Sequence, residues 1–147
     1  MPRRFDFKIK TSRLVFLSDY AHHPAEIAQS VKSVRELYKD KKITAIFQPH
    51  LYTRTRDFYK DFADSLSLLD EVILTEIYPA REQPIPGVSS RLIYDNLRPG
   101  IEKCICPKED ILNLLSKKSV EVLIVLGAGD LDNYVPSITQ LLEQQSK

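Results

Sequence analysis

Apolar residues along this chain switch repeatedly between the period of strands and the period of helices. Phe5, Phe7 and Ile9 fall on one parity, a Lys-Thr-Ser-Arg break follows, and Leu14 to Leu17 are continuously apolar, predicting a β-hairpin that leads into a buried strand. From Pro24 to about Tyr38 the period changes, with Ile27, Val31, Val34 and Tyr38 making one helical stripe. Pro24 suits the first turn of that helix, where its missing N–H has no partner to lose. Lys39 to Lys42 form a polar turn, and Ile43 to Phe47 are a run of strand length. A polar stretch, Gln48 to Arg56, then precedes a second helix with Phe58, Phe62, Leu66 and Leu69 as its expected apolar face.

The alternation continues. Glu71 to Ile77 predicts a third parallel strand, and Tyr78 to Gly87, with three prolines and a glycine, predicts a loop that is either a substrate-facing lid or plain surface. Ser89 or Ser90 is positioned to cap a short helix through Leu97, Lys103 to Cys106 reads as a strand, and Pro107 opens a helix carrying Ile111, Leu112 and Leu115. Val120 to Leu126 is a buried strand, and Leu131, Val135, Ile138 and Leu142 mark a last helix whose start Pro136 pushes later than the stripe suggests. Strands alternating with helices at this spacing imply right-handed βαβ units. The expected fold is α/β, Rossmann-like and doubly wound: a mostly parallel sheet with helices on both faces and an N-terminal β-hairpin.

Composition narrows the picture without changing it. With 147 residues, 43% hydrophobic and 28% charged, the chain is sized for one globular domain, residues 1–147. A formal net charge of +1 gives no reason to invoke nucleic acid or a membrane surface. Two cysteines, Cys104 and Cys106, are too few and too close for a secreted disulfide framework and read as core residues on one strand face. No apolar signal core follows the N-terminal arginines, so a cytoplasmic location is expected. The abrupt start, Met-Pro-Arg-Arg directly before the first strand, reads as a trimmed end.

Candidate chemistry gathers where strands give way to helices. Asp19, Tyr20, His22 and His23 lie at the first such corner, where the carboxyl end of a strand opens onto a ligand crevice and a helix start offers unpaired N–H groups. An aspartate there accepts from ribose hydroxyls and an imidazole donates to phosphate; alternatively Asp19 is a cap and the histidines are surface residues. Metal is disfavoured, with only three histidines in the chain. His50, Tyr52, Arg54 and Arg56 form a second corner, and Arg54 beside His50 reads as an anion clamp or as a solvated basic helix start. Gly127-Ala128-Gly129-Asp130 is either a fragment of a phosphate loop or a tight turn with Asp130 as N-cap. There is no Gly-x-x-x-x-Gly-Lys-Ser/Thr loop and no Gly-x-Ser-x-Gly elbow. An ATP-dependent reaction would therefore take its phosphate cradle from elsewhere.

Taken in order, Asp19-Tyr20-Ala21-His22-His23-Pro24, Gln48-Pro49-His50-Leu51-Tyr52-Thr53-Arg54-Thr55-Arg56, Tyr78-Pro79-Ala80-Arg81-Glu82, Ile85-Pro86-Gly87-Val88-Ser89-Ser90 and Gly127-Ala128-Gly129-Asp130 resemble the C-terminal domain of the Mur ligases. The first motif is shared with folylpolyglutamate synthase-like enzymes, and the second resembles that of the alanine-adding branch. The resemblance implies an ATP-dependent carboxylate–amine ligase that adds L-alanine to UDP-N-acetylmuramate through an acyl phosphate in peptidoglycan precursor synthesis. ATP and Mg2+ would be held mainly by a central domain and the UDP-sugar by an N-terminal one, so this chain alone would be inactive. By the same resemblance Asp19 and His22 meet ATP, while Tyr20, His50 and Arg54 line the L-alanine pocket with Arg54 on the carboxylate. Some members carry an arginine where this chain has Leu51, and Arg56 is assigned to helix capping or interdomain contact. A murein tripeptide ligase-like domain, a stand-alone nucleotide-binding module and a small hydrolase or phosphotransferase using His22 or His50 are the alternatives.

Overall fold

A computed structural model describes residues 5–145, so the trimmed end read at residues 1–4 lies outside it. Six strands, β1 (Asp6–Lys10), β2 (Val15–Asp19), β3 (Ile43–Phe47), β4 (Glu71–Leu74), β5 (Glu102–Ile105) and β6 (Val122–Leu126), form one sheet in the order β1-β2-β6-β3-β4-β5. β1 pairs antiparallel with β2 through a hairpin bearing a bulge between Phe7 and Ile9, and every other pairing is parallel. The expected mostly parallel sheet with an N-terminal hairpin is the observed one.

Helices α1 (Pro24–Leu37), α2 (Tyr52–Leu66) and α3 (Arg91–Asn96) cover one face, and α4 (Ile111–Ser116) and α5 (Val135–Gln145) cover the other. The sheet is read from both sides. Val15, Leu17, Ala45, Phe47 and Ile124 face the first helical layer, while Phe16, Ile46, Leu123 and Val125 face the second, as the two-residue period of a strand requires.

Several sequence expectations shift in detail. α1 buries Ile27, Val31 and Val34 as the stripe predicts. α2 starts at Tyr52 and buries Thr55, Phe62, Ala63 and Leu66, with Tyr59 packed alongside, whereas Phe58 is 40% exposed. Strict four-residue spacing drifts about 40° per step around a helix, so Phe58 precesses off the buried face. β4 ends at Leu74 rather than Ile77, and Pro107 opens a short 3-10 turn, Lys108–Asp110, ahead of α4. Another 3-10 turn, Asp130–Tyr134, delays α5 to Val135 and leaves Pro136 in its first turn, where the proline is tolerated. Among the described residues no helix is long and apolar enough to cross a membrane.

Candidate functional site

The carboxyl ends of β2, β6 and β3 lie side by side, with Asp19 and Phe47 both in register with Leu126. The chain leaving β2 or β3 turns to one face and the chain leaving β6 to the other, which opens a crevice above β6. Gly127 and Gly129 form its floor. A Cβ on Gly127, whose φ is +139°, would lie 2.9 Å from the Gln48 carbonyl oxygen, and one on Gly129 would lie 2.5 Å from Gln48 Oε1. Gln48 is buried; its amide donates to Asp130 (2.8 Å) and its Oε1 accepts from the Leu131 N–H (3.0 Å). Lys108 pairs with the same Asp130 carboxylate. The Gly-Ala-Gly-Asp turn therefore serves close packing between strand ends, and Gly129 rather than Asp130 is the N-cap of the 3-10 turn.

At the first corner, Asp19 is 1% exposed and its carboxylate points inward. One oxygen accepts from the Ala21 N–H (2.9 Å), the other from the Ser30 hydroxyl (2.6 Å) and the Phe5 N–H (3.2 Å). It thereby ties β2, α1 and the first hairpin together from beneath. Above it stand Tyr20, at 38% exposure, and His22. Glu26 Oε1 accepts from the backbone N–H of both His22 (3.2 Å) and His23 (3.1 Å), closing the start of α1.

The second corner meets the first through its rings. His22 and His50 are edge to face at 5.5 Å, Tyr20 meets His22 at 6.2 Å, and His50 stacks on Tyr78 at 5.6 Å. Arg54 Nη1 lies 3.1 Å from His50 Nδ1. A guanidinium only donates, so Nδ1 is the acceptor and the His50 proton sits on Nε2. Burial first, and then the Arg54 charge, push His50 below its ordinary pKa. Among the described residues no carboxylate pairs with Arg54. Arg56 pairs with its neighbour Asp57 (2.9 Å).

Leu51 carries the site's backbone strain, with φ +76°. Its N–H donates to the Tyr78 carbonyl (2.9 Å) and the Tyr78 N–H donates to the Pro49 carbonyl (2.8 Å), which holds residues 49–51 against the loop. Glu82 completes the clasp. Its Oε1 accepts from the Tyr52 N–H (2.5 Å) and the Thr53 N–H (3.1 Å), and its Oε2 from the Thr53 hydroxyl (2.5 Å). The Thr53 hydroxyl is the strongest influence holding Glu82 below the usual carboxylate range. Glu82→Ala is expected to lower stability by about 1–2 kcal/mol, as loss of a helix cap does, in urea titration at neutral pH. An unchanged midpoint would show that the clasp is not needed.

Protonation of His50 works in the same direction as loss of the clasp. In the unfolded chain the ring takes a proton near its ordinary pKa of about 6.5, and the folded ring resists until lower pH. In that window the unfolded state binds more protons, so stability is full above it and falls as pH drops below about 6.5. The urea midpoint is expected to fall between about pH 7.5 and pH 5.5, and to fall less in His50→Gln. Equal falls in both proteins would exclude His50 as the source.

The structure thus brings Tyr20, His22, His50 and Arg54 to one crevice and places Asp19 under it. Sequence reasoning missed Gln48 and Glu82. A signal for Glu82 exists: α2 starts with Arg54 and Arg56 and no acidic residue in its first turn, so its positive end needs a carboxylate from elsewhere.

Residues 3–131 match the model of the Mur ligase family's glutamate ligase domain. The chain belongs to the Mur ligase family. Within it, the chain is 76% identical over 143 residues to a UDP-N-acetylmuramate–L-alanine ligase of Phocaeicola vulgatus, spanning 97% of this chain and 31% of that protein. A protein of the same name from Cytophaga hutchinsonii is 47% identical, over 97% of this chain and 30% of its own length. The chain thus spans about a third of the length of these curated relatives. Among solved structures, the UDP-N-acetylmuramate-alanine ligase MurC of Thermotoga maritima superposes with TM-score 0.74 at 28% identity, covering 99% of this chain and 30% of that one. A murein peptide ligase of Psychrobacter arcticus shares the fold at TM-score 0.75 and 15% identity, covering 96% and 30%.

Proposed function

We propose that this Mur ligase domain is the amino-acid-binding, ATP-closing C-terminal part of a ligase joining L-alanine to UDP-N-acetylmuramate. The observation that carries the reading is the Arg54 guanidinium, held by His50 at the crevice and without a carboxylate partner among the described residues. Its fork matches the carboxylate of an amino acid. His50, with its proton on Nε2, donates a second hydrogen bond, and Tyr20 supplies the wall. The names of the relatives, and identity across almost all of this chain, support L-alanine as that amino acid.

In the proposed reaction the UDP-N-acetylmuramate carboxylate takes the γ-phosphoryl group of ATP and ADP leaves; the alanine amine then attacks the acyl carbon, loses a proton and expels phosphate to form the amide. Arg54 and His50 orient the amine by gripping the other end of the amino acid. His22 stands on the phosphate side. In the geometry described, Asp19 acts by holding Tyr20 and His22 in place from below; its oxygens already accept three intrachain hydrogen bonds. The side chains of this crevice do not suit Mg2+, which prefers oxygen ligands, so magnesium is assigned to the central domain with the phosphate loop. Closure of this crevice over that domain excludes water from an intermediate that water would hydrolyse.

The test is amide formation from UDP-N-acetylmuramate, ATP and L-alanine. Residues 1–147 alone are expected to form none, and the same residues joined to UDP-sugar and ATPase domains are expected to form it. Product from 1–147 alone, or none from the joined protein, would overturn the reading.

A further inference from the structure

Ile105 packs against the first core, while Cys104 and Cys106 on either side of it pack against the second, so the two thiols share one face of β5. Neither is the core residue that the sequence suggests. Both are free and only half-buried, because β5 lies at the end of the sheet, beside β4. The Cys106 N–H donates to the Leu74 carbonyl (2.9 Å), which carries the pairing one residue past the strand and keeps both side chains on that face. We propose that Cys104 and Cys106 form a peroxide-sensitive dithiol, in which Cys104 is oxidised first and Cys106 then closes an internal, reversible disulfide. The inference is independent of the ligase reading, because it concerns chemistry on this chain alone.

The two thiols are unequal. The Cys106 thiol donates a hydrogen bond to the Cys104 sulfur. That bond, more than any other influence, brings the Cys104 pKa down to about 7 against the burial that raises it; Lys118 lowers it further, and Glu71, paired with Lys118 at 2.6 Å, opposes. The same bond, then burial, the Cys104 charge and Asp110, hold the Cys106 thiol above its ordinary range. At neutral pH Cys104 is therefore partly thiolate, the nucleophilic form, and Cys106 is a protonated neighbour in contact with it. Cys104 also lines a surface cleft of about 470 Å³ with Glu71, Leu114 and Lys118, which gives a peroxide a path to the sulfur. An accessible thiol of low pKa beside a resolving cysteine is the arrangement found in redox-sensing sites.

Two steps balance the chemistry. The Cys104 thiolate attacks one oxygen of hydrogen peroxide; an S–O bond forms, the O–O bond breaks and hydroxide leaves, so the sulfur is oxidised to a sulfenic acid and the peroxide is reduced. The Cys106 sulfur then attacks the Cys104 sulfur, the S–S bond replaces the S–O bond, and the departing hydroxide takes the Cys106 proton as water. Residues two apart on a strand have Cα atoms about 6.6 Å apart, close to the upper limit of about 6.8 Å for a disulfide. The bridge is therefore strained and easily reduced, which suits a reversible mark rather than a structural staple.

The experiment exposes the reduced 147-residue chain to hydrogen peroxide at neutral pH and follows the tryptic peptide Cys104–Lys108, which contains both thiols, by mass spectrometry. The peptide is expected to become two hydrogens lighter and unreactive to iodoacetamide, and to recover both properties in dithiothreitol. Cys106→Ser is expected to stop at the sulfenic acid, which dimedone traps on Cys104. Cys104→Ser is expected to oxidise at least about tenfold more slowly than Cys106→Ser, because burial keeps its remaining thiol protonated. Bridging between chains in place of the internal disulfide, equal oxidation rates in the two variants, or a Cys104 that resists peroxide would each overturn the proposal.

Discussion

Arg54→Ala, in the ligase with its other domains, is expected to raise the KM for L-alanine by about 10- to 100-fold and leave the KM for ATP nearly unchanged. A hydrogen bond to a charged group contributes about 1.5–3 kcal/mol, and each 1.4 kcal/mol is about a factor of ten in binding. The fold is expected to survive, because Arg54 has no carboxylate partner among the described residues to leave behind and its one described hydrogen bond is to His50. Removing it also frees His50 Nδ1 and lifts one of the charges that depress that ring, so the acid-side loss of stability should become smaller. Arg54→Lys restores charge without the planar fork, and only partial recovery of alanine affinity is expected. Steady-state kinetics with each substrate varied in turn makes the check. An unchanged KM for alanine with an unchanged rate would remove Arg54 from the site.

Gly129→Ala is expected to destabilise the chain by about 3 kcal/mol and lower its Tm by roughly 6–12 °C. Beyond Gln48 Oε1, the new Cβ would stand 2.7 Å from Tyr78 Cβ and 2.8 Å from Tyr78 Cγ. Neither neighbour yields easily. Tyr78 is held by two backbone hydrogen bonds to residues 49–51, and Gln48 by bonds to Asp130 and Leu131. Relief of the clash therefore breaks the contact between the ends of β3 and β6 and shifts the ring against which His50 stacks. Differential scanning calorimetry reads the loss directly, and a Tm equal to the parent's would show that the seam gives way at little cost.

The sheet and most helices were legible because their signals are local. β2, β3, β4 and β6 are short, largely apolar runs, β1 alternates at the strand period, and the α1 stripe repeats within the helix itself. Tyr20, His22, His50 and Arg54 were legible as a group for a related reason: polar chemistry placed just after buried strands has few places to go except the crevice. The inward turn of Asp19 was not. A carboxylate at a strand end reads the same whether it points to solvent or core, and its partners Phe5 and Ser30 are 14 and 11 residues away. Glu82 is hidden for the same reason, since the helix it caps lies 29 to 30 residues earlier. Of the stripe read for α2, Phe62, Leu66 and Leu69 are buried and Phe58 alone is not, because two successive steps of four carry it off the buried face.

One topological fact bears on how the chain acquires its fold. β6 is the last in sequence of the six described strands, yet it sits between β2 and β3, hydrogen-bonded to both. Until residues 122–126 arrive, β2 and β3 each present an open edge, and the crevice has no floor. Ribosomal synthesis therefore exposes two adhesive strand edges for the time needed to add the intervening residues, and loop-closure entropy delays their union further. Folding should be slow and late, with a nucleus that includes the carboxyl-terminal quarter of the chain. Pairing between two unfinished copies is the failure that a nascent-chain chaperone would have to prevent.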